Sequence, residues 1–220
     1  MCKVTLISTE HMEAGNCNSD ELLKIVKSIK PEVIFEEDHD DDHYQNYYKN
    51  ENSFNSLEVK TIKKYKAINN IIHIPVDKSI NEFVSLRILD ILTKTFRQNN
   101  DYKQLVKEHC SLRNEYGFDY LNSERCLKLF QKMKLVEEEI IAKSESSNFN
   151  LKEFQNLFHK ELDFRENIML QNIYNFSESN KFEQGVFLIG FTHRESIMKK
   201  ILKRTSKEKG KIIWTFYTGK

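Results

Sequence analysis

Two histidines raise the question of chemistry. His11 and His193 each fall about three residues beyond the end of an apolar, strand-like run. Carboxylates collect at the same kind of position: Glu10 beside His11, and Glu36, Glu37 and Asp38 directly after a second such run. Imidazoles and carboxylates brought together can ligate a divalent cation, or move protons as general acid and base. Arg165 is the third notable residue. It stands among Phe164, Ile168, Met169 and Ile173, and a guanidinium in apolar company needs a carboxylate or a ligand anion. A structural ion pair with Glu161 or Glu166 on its own helix is the competing reading.

Other polar residues read more plainly. Asp77 is assigned to capping a helix that begins near Ser79. The run from Glu36 to His43, EEDHDDDH, looks like a chelator, but Asp38 through His43 reads as a solvated loop. Strand alternation turns one of Glu36 and Glu37 toward a site and the other away. His73 reads as a core or edge histidine, and His109 and His159 as solvent-facing. Cys17 lies near His11, but a thiol nucleophile needs a positioned base.

These residues need a scaffold to bring them together. β-prone runs appear at Val4–Thr9, Val33–Phe35, Ile71–Val76, Val186–Ile189 and Ile212–Tyr217. Helical periodicity fills the gaps: Ser19 to Ile29, capped by Asn18 or Ser19 and stopped by Pro31, then Leu57–Ile68 and Glu195–Lys203. Strands alternating with helices predict an α/β fold with a mostly parallel sheet of about five strands. Residues 79–176 read as helical almost throughout, with three helices traced by Ile80–Thr93, Leu127–Ile141 and Leu151–Met169. This is a helical insertion between strands three and four, acting as a cap or covering the sheet faces, within one domain spanning 1–220. Pro75 marks strand three as an edge. Ligands in such folds bind beyond the carboxyl ends of the strands, where His11, Glu36, Glu37 and His193 fall.

Composition narrows the setting. The 220 residues carry 34 basic and 33 acidic side chains, a net charge of +1. No global field draws in nucleic acid or an anionic membrane. No stretch approaches the ~20 apolar residues of a membrane span. Four cysteines without a CxxC spacing imply reduced thiols and a cytoplasmic setting.

The arrangement resembles the erythromycin esterase, Tiki/TraB and ChaN group. The segment VTLISTEH, ending at His11, is similar to the group's first Gly-x-x-His motif, with Ser8 where the glycine stands. PEVIFEE, ending at Glu37, is similar to the second-strand motif. RENIMLQNI, from Arg165, is similar to the arginine-bearing helix, and VFLIGFTH supplies Gly190 and His193 for the late Gly-x-x-His. The resemblance implies a hydrolase that activates water to cleave an ester or peptide bond in a small-molecule or peptide substrate. His11, Glu37 and His193 would hold Mn²⁺, Co²⁺ or Zn²⁺, with Glu10, Glu36 or Glu37 as base. Arg165 would bind a substrate carboxylate or stabilise an oxyanion. A metal-free form makes His11 or His193 the base. ChaN-type members imply a second reading, a haem or small-ligand binder with His11 or His193 as axial ligand and Tyr44, Tyr47 or Tyr48 beside it. A third reading is an interaction module, the helical block offering an apolar face to a partner or a second copy.

Overall fold

A computed structural model describes residues 1–39, 48, 56–78, 82–144, 150–205 and 212–219. Five strands form one all-parallel sheet: β1 (Cys2–Thr9), β2 (Val33–His39), β3 (Ile72–Asp77), β4 (Gln184–Gly190) and β5 (Ile212–Phe216), in the order β3-β2-β4-β1-β5. The helices among the described residues are α1 (Ser19–Ile29), α2 (Leu57–Lys66), α3 (Glu82–Phe96), α4 (Asn100–Leu121), α5 (Glu124–Ser144), α6 (Leu151–Ser179) and α7 (Arg194–Thr205). The α/β class and the helical insertion are as the sequence predicts, and β3, with Pro75, is an edge strand. None of the described helices is long and apolar enough to cross a membrane.

Sequence alternation sorts the strand side chains onto two faces. Val33, Phe35, Phe187 and Ile189 pack against Met169 and Ile173 of α6 and Ile197 and Ile201 of α7. Ile7, Ile34, Val186 and Leu188 pack on the other side, against Leu22 and Val26 of α1, Ile62 of α2, Leu112 and Leu121 of α4, and Leu129 of α5. The insertion therefore covers the sheet faces, one of the two roles expected of it. Parts of α4, α5 and α6 cover the sheet. A third cluster, Ile88, Leu92, Phe96, Met133, Ile141 and Leu151, holds the block together away from it.

Among the described residues the helical block contains four helices, not the three traced from periodicity. The one that escapes is α4. It is polar over much of its length, and Gly117 (φ 53°) breaks its geometry. That left-handed residue lets α4 pass against the loop after β1, where a Cβ would sit 2.5 Å from the Asn16 carbonyl oxygen. The segments 40–47, 49–55, 79–81, 145–149 and 206–211 lie outside the described residues, and with them Asp40 to His43, Tyr44, Tyr47 and Ile80.

One polar side chain completes the sheet. The ladder between β1 and β5 stops after the Leu6–Phe216 pair, apart from Tyr217 N–H donating to the Leu6 carbonyl. Ser8 would then lack a neighbour on that side. The Asn122 carboxamide fills the place: Oδ1 accepts from Ser8 N–H at 2.8 Å and Nδ2 donates to the Ser8 carbonyl at 3.0 Å. Asn122 Oδ1 also accepts from Nη1 of Arg194 at 2.8 Å. Arg194 is 2% exposed, and burial pulls its guanidinium down to about 10. Among the described residues its partners are Ser8 Oγ, the Asn122 amide and carbonyl, and the Tyr217 carbonyl, with no carboxylate among them. Ser8, which replaces the glycine of the resembled motif, is thus used. Asn122→Ala strands two strand-edge groups and a buried cation. The expected loss is roughly 2–4 kcal/mol of unfolding free energy, read from urea melts.

Candidate active site

The order β2-β4-β1 sets three carboxyl ends side by side, with Thr9 opposite Gly190 and Glu36 opposite Leu188. A cavity of about 530 Å³ opens beyond them. It is lined by Thr9, His11, Glu36, Glu37, Glu58, Asp77, Arg165, Thr192 and His193 on the sheet side, and by Leu86, Leu89, Phe158 and Leu162 on the helical side. Its size suits a small organic ligand.

Glu37 is the meeting point. It shares a sheet face with Phe35 and so turns toward α6 and α7. Its Oε1 lies 3.2 Å from His193 Nε2 and 3.0 Å from Arg165 Nη2. Its Oε2 accepts from the Gly190 backbone N–H at 2.6 Å, and a Cβ on Gly190 would crowd that oxygen at 3.2 Å. The close approach that a glycine permits here serves a carboxylate of the protein itself. Burial alone would raise the Glu37 carboxyl. The His193 and Arg165 charges overcome it and hold Glu37 at about 2.

Arg165 does not pair with its own helix. Nε lies 2.9 Å from Asp77 Oδ2, and Nη2 reaches Asp77 and Glu37. Nη1 has no hydrogen-bond partner among the described residues. Asp77, read from sequence as a helix cap, is the last residue of β3. Burial would raise its carboxyl, but His39, at 3.4 Å, and Arg165 push it well below the usual range.

His193 is 3% exposed. Its Nδ1 lies 2.9 Å from Glu166 Oε1 while Nε2 faces Glu37. A carboxylate only accepts, so both nitrogens carry hydrogen and the ring is an imidazolium. Burial disfavours that charge. Glu37 and Glu166 outweigh burial and push the ring up to about 9. By spacing alone, Glu166 is a helix partner for Arg165. One residue along the helix, it faces His193 instead.

His11 is placed differently. Its side chain is 60% exposed, and Nδ1 lies 3.4 Å from Oε1 of Glu58, whose side chain is 5% exposed. Neither Glu58 oxygen has a well-formed hydrogen bond among the described residues. Glu58 sits in the first turn of α2, and the Leu57 N–H donates to the His11 carbonyl at 2.9 Å. The helix start thus fixes the loop and presents the carboxylate behind the ring. The Glu58 contact, against a smaller opposing effect of burial, pushes His11 up to about 9, with Glu37 and Glu36 adding to the pull. Glu58 escaped the sequence analysis because a first-turn glutamate ordinarily serves the helix dipole. Its burial was not visible.

The remaining candidates fall outside this group. Glu10 does not line the cavity; it pairs with Arg113 of α4, 3.7 Å from His109. His109 is 7% exposed and stacks on Phe191, so the expectation of a solvent-facing ring is wrong. Glu36 accepts from Tyr48 at 2.7 Å and meets His73 at 2.8 Å, on the sheet face opposite Glu37. Cys17 is fully buried, which pushes its thiol up to about 12 and away from a nucleophile's range.

The expected metal ligands His11, Glu37 and His193 do not form a chelating set, because His193 has a carboxylate on each nitrogen and Glu37 is held by His193, Arg165 and the Gly190 N–H. Among the described residues no group of three His, Cys, Asp or Glu side chains is arranged to hold a metal ion. The residues, as paired here, do not fit a divalent cation. As a haem ligand, His193 would have to leave both partners.

No family model, curated protein or solved structure matches the chain.

The His193–Glu37 pair dictates a pH dependence. The raised imidazolium contributes stability fully below its ordinary value of about 6.5, and loses it as pH climbs through about 9. The depressed Glu37 contributes above about 4.5 and loses it as pH falls through about 2. The wild-type advantage over His193→Gln should be on the order of 3 kcal/mol between pH 4.5 and 6.5 and shrink steadily toward pH 9, in urea midpoints across that range.

Proposed function

We propose that the chain is a hydrolase that activates water with a His11–Glu58 dyad to cleave an ester or peptide bond in a small substrate. The observation that carries this reading is the buried Glu58 carboxylate, without a well-formed hydrogen bond, behind an exposed imidazole on the cavity wall. A carboxylate on Nδ1 fixes the ring's tautomer and orientation and stabilises the imidazolium that forms when Nε2 takes a proton. The resemblance to the erythromycin esterase, Tiki/TraB and ChaN group points the same way, since His11 ends the first of its motifs.

In this scheme His11 Nε2 removes a proton from water as the oxygen attacks the acyl carbon. The same proton then passes to the leaving alcohol or amine as the carbon–oxygen or carbon–nitrogen bond breaks. Arg165 Nη1 supplies a donor to the developing oxyanion. His193 takes no proton in the cycle. Saturated by Glu37 and Glu166, it holds Glu37 in place, and Glu37 with Asp77 holds Arg165.

His11→Gln and Glu58→Gln should each lower kcat/KM by roughly 10²–10⁴-fold on a panel of p-nitrophenyl esters and short peptides. Because the active form is the neutral ring, wild-type kcat/KM should climb with pH and level off well above 6.5, toward 9. Glu58→Gln should move that inflection down toward the ordinary histidine value of about 6.5. EDTA should leave the rate unchanged. A rate abolished by EDTA and restored by Mn²⁺, Co²⁺ or Zn²⁺ would return the site to metal-dependent chemistry.

A further inference from the structure

The two walls of the cavity differ in kind. On the sheet side the charges cancel pairwise: Glu37 faces Arg165 and His193, Asp77 faces Arg165 and His39, and Glu58 faces His11. Asp38 accepts from the His39 backbone N–H. Arg165 and His193 are the fixed cations among the described residues of this wall, and each already balances two carboxylates. An anionic substrate at Arg165 would stand beside two carboxylates that already share its charge, so its own charge would go largely unneutralised.

The helical wall is apolar apart from Ser85. Helix α3 has two hydrophobic faces. Ile88, Leu92 and Phe96 enter the core of the insertion, whereas Leu86 and Leu89 turn into the cavity and stay 57% and 40% exposed. Phe158 and Leu162, one turn apart on α6, stand on the same wall. Arg165 follows three residues later, so one face of α6 runs from apolar to charged toward the strand ends. A ligand spanning this cavity meets hydrocarbon at one end and the His11–Glu58 dyad at the other.

We propose that the substrate is an uncharged ester or amide whose acyl group is an apolar chain, seated against Leu86, Leu89, Phe158 and Leu162 with its carbonyl toward Arg165 and His11. The proposal rests on the hydrolytic reading above for which bond is cut, and on the cavity walls for the chain. It replaces the expectation that Arg165 captures a substrate carboxylate, because that guanidinium is already neutralised.

The test is calorimetric titration of the His11→Gln protein, which cannot use His11 to consume the ligand, with methyl esters of butanoic to octanoic acid and with the matching carboxylates. Affinity for the esters should tighten by up to about fourfold per added methylene, with each carboxylate at least tenfold weaker than its ester. Adding Leu86→Ser and Leu89→Ser, exposed positions whose change spares the core, should flatten the series. An ester series that is flat or does not bind, or carboxylates that bind tighter than esters, would overturn the proposal. Wild-type turnover of the same esters separates the two ideas. Graded binding without turnover removes the hydrolytic reading and keeps the apolar seat, whereas turnover indifferent to chain length removes the seat alone.

Discussion

A carboxylate at the inner end of a buried parallel strand has to be neutralised where it stands, and Glu37 is such a carboxylate. Three elements are organised around that need. Helix α6 brings Arg165 and, one residue on, Glu166. The turn after β4 brings His193 and the Gly190 amide. Strand β3 brings Asp77 to balance the arginine's remaining charge. Each group is costly to bury alone and inexpensive in company, so the network is close to all-or-none. The positions of α6 and β3 relative to the sheet follow from it.

The two histidines that look alike in sequence are used in opposite ways. His193 has a carboxylate on each nitrogen, which makes it a fixed cation. His11 has one carboxylate behind it and its other edge toward the cavity, which leaves Nε2 able to exchange a proton. The difference lies in the second carboxylate, supplied by the neighbouring strand in one case and absent in the other. Burial follows the same division, since a saturated ring can be enclosed while a reactive one must meet substrate.

Much of this was legible in the residues, and what was not has definite causes. Strand alternation and helical periodicity located all five strands of the described sheet, and Pro75 identified the edge. The rule that ligands gather at strand carboxyl ends brought His11, Glu36, Glu37 and His193 to one edge. Glu58, Glu166 and Asp77 were misread or missed for a common reason. A carboxylate in a first helical turn, on a helix flank or before a helix has an ordinary local explanation, and its long-range partner lies 47 to 88 residues away for Glu58 and Asp77. Helix α4 escaped because its buried residues answer to the loop after β1 and to α5 rather than to a regular apolar stripe. Whether Glu36 or Glu37 joins the network depended on which sheet face receives α6, a fact of topology that no local pattern carries.

The sheet order also governs how the molecule comes to exist. Strand β1 pairs only with β4 and β5, so its neighbours lie some 180 residues further along the chain, as between Thr9 and Ile189. Strands β2 and β3 can pair early, but β2 finds its other neighbour only when β4 arrives. Closing so long a loop is entropically slow, and chains dominated by distant pairings fold slowly. During synthesis β1 must wait, its edges unpaired, until β4 and β5 have emerged, which leaves an aggregation-prone interval. The pocket is then among the last features to form, because His11, Glu37 and His193 come together only when β4 slides between β2 and β1.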